Sequence, residues 1–307
     1  MFWFPVELRK LYWTRQQNQL KQGLIENDDF AWSFNGHGGR RLRYVGGVDI
    51  SFFSDQRDPK DTRACASLVV CDLGESGRGD LSIVWQDFLY VSMTVPYVAG
   101  FLAFREATHY CEMLQRLSAQ RPDLMPDVIL FDGNGVLHPN GFGVASHVGV
   151  LSNQCTIGVS KNLHLVDGLD REWIKEQCAS CRGGFVPLLG SSGRTWGAAV
   201  IPVPRRPVMK SQKSQQTKNP IYVSVGHRIG LESCVKVVNL CLLSARVPEP
   251  VRLADILSRE QIRKFKEEQR QSASTKPLRW PIICCLSAGA VGVFFLRRWR
   301  SPLSVSS

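Results

Sequence analysis

An aspartate stands inside an apolar run at Val45-Gly46-Gly47-Val48-Asp49-Ile50-Ser51-Phe52, and few arrangements of a chain tolerate one there. Apolar residues on both sides mark a strand in the middle of a sheet, covered on two faces. An uncompensated carboxylate in such a strand costs several kcal/mol, so it either keeps its proton or meets a cation. Taken alone, Asp49 also has plainer explanations: a solvated aspartate near a strand end, or a hydrogen-bonded turn former.

The sequence around it sets a fold class. Residues 44–53, 64–72 and 81–93 read as three strands separated by polar Asp, Gly and Ser turns, for which an antiparallel meander is the simplest pairing. Ahead of them, residues 7–25 carry Leu8, Leu11, Tyr12, Leu20 and Leu24 among polar residues, the spacing of an amphipathic helix. Residues 27–41, with Gly36, Gly38 and Gly39, read as a loop. A helix is expected over 104–120, a short apolar strand over 127–131, a helix over 143–151 and a strand over 156–160. From there strands and helices alternate, which predicts parallel pairing. Residues 185–189 and 195–201 form a hairpin pattern around Ser191-Ser192-Gly193. A strand over 221–225 leads into Gly226-His227-Arg228, and helices follow over 231–243 and 250–270. The expected class is α/β: a mixed sheet, meander first and parallel strands after, flanked by helices. It occupies residues 1–270 as one catalytic domain, with residues 271–307 as an appended basic and apolar tail.

Charge and cysteine usage narrow the setting. The chain of 307 residues has a formal net charge of +11, which favours a polyanionic partner, either nucleic acid or an anionic membrane surface. Part of the excess lies between Arg205 and Lys218, with Arg206, Lys210 and Lys213 and no acid among them, and part at Arg297, Arg298 and Arg300. Of the ten cysteines, Cys65, Cys71, Cys111, Cys234 and Cys241 sit in apolar runs, as buried thiols of a reducing compartment do. Cys178-x-x-Cys181 has no matching second pair and does not argue for zinc. Met1 to Pro5 is apolar but too short for a secretory leader. From Trp280 to Leu296 the chain is uncharged and apolar, with Arg279 before it and Arg297-Arg298 after it. Its length falls at the short end for a spanning helix, which usually takes about 20 residues. It reads either as a membrane-contacting tail or as a terminus that associates with nothing.

Other residues suited to chemistry recur at strand ends and helix starts. Asp132 ends the apolar strand Val128-Ile129-Leu130-Phe131 and precedes Gly133-Asn134-Gly135; open α/β sheets hold their ligands at such carboxyl ends, and an ordinary Asp-Gly turn would look the same. Glu106 lies near the start of a helix, where a carboxylate is favoured in any case. His227 suits an acid, a base or an outer metal ligand, or simply a hydrogen-bonded histidine. Lys161, past a strand, suits a phosphate or plain solvent. No one of these residues decides the matter. The order strand-strand-strand-helix-strand-helix is the ribonuclease-H-like one, in which the first and fourth strands are neighbours, so that Asp49 and Asp132 converge. Hard oxygen donors with open positions suit Mg²⁺ or Mn²⁺, ions that activate water and stabilise charge on a scissile phosphate.

Gly47-Val48-Asp49, the block Pro96-Tyr97-Val98-Ala99-Gly100-Phe101-Leu102-Ala103-Phe104-Arg105-Glu106, Phe131-Asp132-Gly133-Asn134-Gly135 with His138-Pro139 and Gly143-Val144-Ala145-Ser146-His147, and Ser224-Val225-Gly226-His227-Arg228 together resemble the endonuclease V family. The blocks occur in family order and span residues 7–264. Asp132-Gly133-Asn134-Gly135-Val136-Leu137-His138 and Val247-Pro248-Glu249-Pro250-Val251-Arg252 are similar to the vertebrate members.

The resemblance implies metal-binding aspartates at Asp49 and Asp132, a catalytic glutamate at Glu106 that joins the metal set, a histidine near the metal at His227 and a basic residue at Lys161. It implies a strand-separating wedge at Pro96, Tyr97, Val98 and Ala99, and a hypoxanthine pocket at Gly100, Leu102 and Gly133. The implied activity is hydrolysis of the second phosphodiester bond 3′ to inosine, leaving 3′-hydroxyl and 5′-phosphate ends, with Mg²⁺ as cofactor and Mn²⁺ as its alternative. Single-stranded inosine-containing RNA is the expected substrate. Deoxyinosine-directed cleavage of DNA and non-cleaving binding of inosine-containing RNA are the alternatives. A monomer in the cytoplasm and the nucleus or nucleolus is expected, with membrane tethering through the tail as a variant. Where many members have Ala-Lys-Lys, this chain has Ser160-Lys161-Asn162, which keeps the first lysine and loses the second.

Overall fold

Val128, Ile129, Leu130 and Phe131 are all buried, and they alternate between two cores. Val128 and Leu130 join one cluster, Ile129 and Phe131 the other. Successive side chains of a strand point to opposite faces, so this strand is covered on both. It is the hub of the computed structural model, which describes residues 5–37, 39–53, 61–74, 81–181, 184–203, 219–243 and 245–273. The basic stretch between Arg205 and Lys218 and the segment from Trp280 to Leu296 lie outside the described residues. The chain divides into a unit of Met1–Phe265 and a second of Lys266–Ser307. Among the described residues no helix is long and apolar enough to cross a membrane.

The elements run α1 (Val6–Lys21), β1 (Trp32–Ser33), β2 (Arg40–Arg41), β3 (Tyr44–Phe52), β4 (Arg63–Asp72), β5 (Ser82–Ser92), α2 (Ala103–Gln120), a 3₁₀ turn at Pro122–Leu124, β6 (Val128–Asp132), α3 (Val144–Ser152), β7 (Thr156–Ser160), α4 (Arg171–Ser180), β8 (Phe185–Leu189), β9 (Thr195–Val200), β10 (Ile221–His227), α5 (Leu231–Cys241) and α6 (Glu249–Ala273). Eight strands form one sheet in the order β5-β4-β3-β6-β7-β10-β9-β8. Helices α2 and α3 cover one face through Ala107, Met113, Leu117, Ala145 and Val148. Helix α5 covers the other through Val235, Val237 and Val238, while Ala254 of α6 packs on Val69 and Cys71.

The meander β3-β4-β5 is antiparallel, and β3-β6-β7 are parallel, as the sequence pattern predicts. The expected hairpin β8-β9 is present and antiparallel, but the parallel expectation fails beyond β7, because β10 runs antiparallel to both β7 and β9. Parallel neighbours need a crossover, usually a helix. Only α4 lies between β7 and the hairpin, and it leads to the sheet edge at β8 rather than to a neighbour of β7. That helix answers to no expected element. Its start is nonetheless legible: Asp170 accepts a hydrogen bond from the Trp173 backbone N–H at 2.7 Å, an N-cap ahead of Ile174 and Cys178 on one buried stripe. The expected loop at 27–41 contains the short parallel pair β1-β2.

Close approach of α6 to β3 depends on Gly47. A Cβ there would be driven into the Pro250 carbonyl group at the start of α6. Gly47→Ala is therefore expected to destabilise the protein by about 2 kcal/mol or more. The check is a lower denaturation midpoint at unchanged slope.

Candidate active site

Val48 lies opposite Phe131 in the parallel pair β3-β6. One step further along, Asp49 and Asp132 come side by side on strands about 4.8 Å apart. Parity fixes where they point. Asp132 shares its face with Val128 and Leu130. Asp49 shares its face with Gly47 and Ser51, and Ser51 meets Ser258 of α6, Oγ to Oγ, at 2.8 Å. Both aspartates are half-buried, and Asp132 is the last residue of its strand.

Glu106 enters from the first turn of α2 and is buried, with 8% exposure. Burial first, then the neighbouring Asp49 charge, pushes its carboxyl up to about 8, against the lowering effects of Arg105 and of a hydrogen bond with Tyr110. Burial likewise pushes Asp49 up to about 7, reinforced by the charges of Asp132 and then Asp255. Asp255 was not singled out by the sequence. It lies on α6 one residue past buried Ala254, whose carbonyl accepts a hydrogen bond from Ser67 Oγ at 2.9 Å; the same hydroxyl reaches the Asp49 carbonyl at 3.2 Å. An aspartate at this place in a helix is ordinary. The signal that could have found it is its position four residues after buried Val251, on the edge of the inward stripe Val251, Ala254, Ser258 and Ile262.

Lys161 follows β7 and donates from Nζ to Asp132 Oδ2 at 2.8 Å. Arg246 holds the backbone here by donating from Nη2 to the Lys161 carbonyl at 2.9 Å and to the Pro220 carbonyl at 2.6 Å. His227 is not part of this group. Because β10 is antiparallel to β7, its end at His227 lies beside Thr156, whereas Tyr222 lies beside Ser160. Four residues of strand, roughly 13 Å, separate His227 from the Lys161 end. His227 is buried, its Nδ1 accepts from the Ile25 backbone N–H at 3.2 Å, and burial followed by the Arg228 charge pushes it down to about 4. The expectation of a histidine beside the metal is corrected at this position: a parallel β10 would have delivered it, and an antiparallel one cannot.

The stretch Pro96-Tyr97-Val98-Ala99 joins β5 to α2 as a loop. Tyr97 is 65% exposed, so its ring is free to meet a base. Gly100 closes the loop with φ of +82°, a backbone conformation that side chains other than glycine rarely adopt. Leu102 is the N-cap of α2. Gly133, just past Asp132, donates its N–H to the Val159 carbonyl at 2.9 Å.

Among the described residues no three His, Cys, Asp or Glu side chains are placed to hold an ion by themselves. The carboxylates instead make an open donor set, of the kind that binds Mg²⁺ through one or two carboxylates plus water and substrate phosphate. Asp49 and Glu106, held near neutrality by burial and by mutual repulsion, are groups that a cation would relieve. The all-oxygen chemistry of the set fits Mg²⁺ or Mn²⁺.

The Endonuclease V family model matches residues 30–256. Human Endonuclease V is 43% identical over 267 residues, covering 85% of this chain and 86% of its own. The crystal structure of the catalytic domain of human Endonuclease V superimposes with a TM-score of 0.74 at 44% identity, covering 86% of this chain and 99% of its own. Ciona intestinalis Endonuclease V, in complex with a 23mer DNA containing an inosine followed by a ribo-adenosine, has a TM-score of 0.69 at 31% identity, covering 84% and 98%. These neighbours share the ribonuclease-H-like arrangement of the sheet.

Proposed function

This chain belongs to the endonuclease V family, which makes it a nuclease and a hydrolase, and we propose that it cleaves single-stranded RNA at the second phosphodiester bond 3′ to inosine, leaving a 3′-hydroxyl and a 5′-phosphate. The observation that carries the reading is the pair Asp49 and Asp132 brought side by side at the ends of β3 and β6, with Glu106 beside them and Lys161 on Asp132. Members of the family are metal-dependent; here Asp49 and Asp132, with Glu106 and Asp255 close by, would hold Mg²⁺, or Mn²⁺ in its place. When bound, the ion supplies an activated water and neutralises charge that develops on the phosphate.

The chain's own groups do the rest. Glu106, pushed up to about 8, holds its proton at neutral pH while no cation offsets its acidic neighbours. Ionised, as it would be beside a bound cation, its carboxylate can accept a proton from a water aligned with the phosphorus. Lys161 pairs with Asp132 in the absence of substrate and turns to a non-bridging phosphate oxygen in its presence. Loss of a second lysine at Asn162 lowers the positive charge beside that phosphate. Tyr97 on its exposed loop fills the gap left when the inosine base leaves the stack, an expense of a few kcal/mol that is least where pairing is already weak. Gly100, Leu102 and Gly133 receive the base.

Preference for RNA rests on position. The bond two steps 3′ of inosine leaves the 3′-oxygen of the next nucleotide, and a 2′-hydroxyl on that nucleotide sits beside the leaving atom, where a protein can read it. The Ciona relative was bound to a strand with a ribonucleotide at that place. Cleavage of matched inosine-containing RNA and DNA, with Mg²⁺ or Mn²⁺, is expected to be about tenfold or more faster on RNA. Faster cleavage of the DNA would make the chain a deoxyinosine repair nuclease. Placement in the cytoplasm and nucleus belongs to the same proposal; fractionating the full chain against one ending near residue 270 tests the membrane contact proposed for Trp280 to Leu296.

A further inference from the structure

Gln17 sits on α1, ahead of residues 30–256 that the family model matches. It is 1% exposed. An amide that deep is expected to have its polar atoms paired, and those of Gln17 are paired with two separate loops. Its Nε2 donates to the Gly100 carbonyl at 3.2 Å and to the Phe142 carbonyl at 3.1 Å, and its Oε1 accepts from Asn140 Nδ2 at 2.8 Å. Gly100 closes the exposed loop that carries Tyr97. Asn140 and Phe142 belong to the segment that leaves β6 through Gly133. One turn further along α1, Lys21 Nζ donates to the Asn140 carbonyl at 3.0 Å. One turn back, Trp13 stacks on Phe104 of α2 with centroids 5.2 Å apart and planes at 12°.

We propose that Gln17 is a positioning residue for base recognition, fixing the distance between the two walls of the inosine pocket by tying Gly100 to Asn140 and Phe142. The inference rests on the pocket assigned above. Hypoxanthine differs from adenine at N1 and at the 6-position, where donor and acceptor exchange places, so polar groups alone reject adenosine. Guanine keeps both of those groups and adds a 2-amino group. Only a wall that cannot retreat excludes it. A clamp that sets wall spacing therefore governs the choice of inosine over guanosine more than the choice of inosine over adenosine.

Gln17→Leu keeps volume and deletes all three hydrogen bonds. Steady-state cleavage of matched strands carrying inosine, guanosine or adenosine is expected to show KM for inosine raised about tenfold, with kcat within about twofold, and the inosine-to-guanosine ratio of kcat/KM lowered about tenfold. The inosine-to-adenosine ratio should fall less. Asn140→Ala, made from the partly exposed side, removes one of the three bonds with little risk to the fold and should move the guanosine ratio the same way by about threefold. Unchanged base ratios in both variants, or a loss that merely tracks the unfolded fraction in thermal melts, would overturn the role. Should the unsubstituted protein itself show no preference for inosine, the pocket assignment falls, and this inference with it.

Discussion

Asp49→Ala is expected to lower kcat by about 10³-fold or more, while an inosine-containing strand is still bound within about threefold of the unsubstituted affinity. The split follows from the geometry. Asp49 and Asp132 come side by side where β6 ends and where the charges of Glu106 and Asp255 also act. On the proposed reading the side chain deleted is a metal donor and not a part of either pocket wall. In the same proposal, binding energy comes from the loop at Tyr97 and from the base pocket, to neither of which the Asp49 carboxylate is assigned. Gel-based cleavage and fluorescence anisotropy on one oligonucleotide separate the two effects. A chain that only bound inosine-containing RNA would show no cleavage to lose. Retained turnover in a clean preparation of the variant would sink the metal assignment.

Much of this site is legible in the sequence because it depends on period-two patterns. Asp49 and Asp132 each sit in or at the end of an apolar run, and it is the ribonuclease-H-like strand order, with the first and fourth strands adjacent, that brings them together. The meander was equally readable, since polar turns of a few residues leave antiparallel neighbours as the simplest choice. Direction beyond β7 was not readable. Whether β10 lies parallel or antiparallel to β7 depends on where the hairpin β8-β9 docks, and Phe185–Leu189 looks the same at an edge as beside β7. The error on His227 is a consequence of that one ambiguity.

Asp255 and Gln17 illustrate a second limit. Each is a polar residue of common type on an amphipathic helix, with nothing local to mark it. Asp255 matters because Gly47 lets α6 approach β3, and Gln17 because α1 crosses two loops that are 83 and 125 residues away in sequence. Contacts of that range leave no periodic trace. Helix α4 was missed for a lesser reason: its buried stripe is short, with only Ile174 and Cys178 inward, and a capping aspartate alone resembles any turn.

Removal of divalent metal is expected to make the folded state lose stability as pH rises from about 4 to about 8. Asp49 releases its proton near 7 and Glu106 near 8 in the folded chain, against ordinary values of 3.8 and 4.5. Through that window the folded protein holds protons that the unfolded chain has already released, so the stability derivative with respect to pH is negative. Below the window both states are protonated and the effect vanishes; above it the full penalty, on the order of a few kcal/mol, is present. Metal binding reverses the sense, because ionised carboxylates are what a hard cation binds, and it releases protons in doing so. Thermal melts in chelator should therefore fall toward pH 8, melts in Mg²⁺ or Mn²⁺ should not, and the gap between them should widen with pH. Asp49→Asn removes one of the two carboxylates whose pKa is raised and should raise the melting temperature in chelator at pH 8 while abolishing much of the gain from metal. A melting temperature in chelator that is flat from pH 5 to pH 8 would mean that neither carboxyl is desolvated as the packing of α2 and β3 requires. It would leave the site without the repulsion that draws a cation to it.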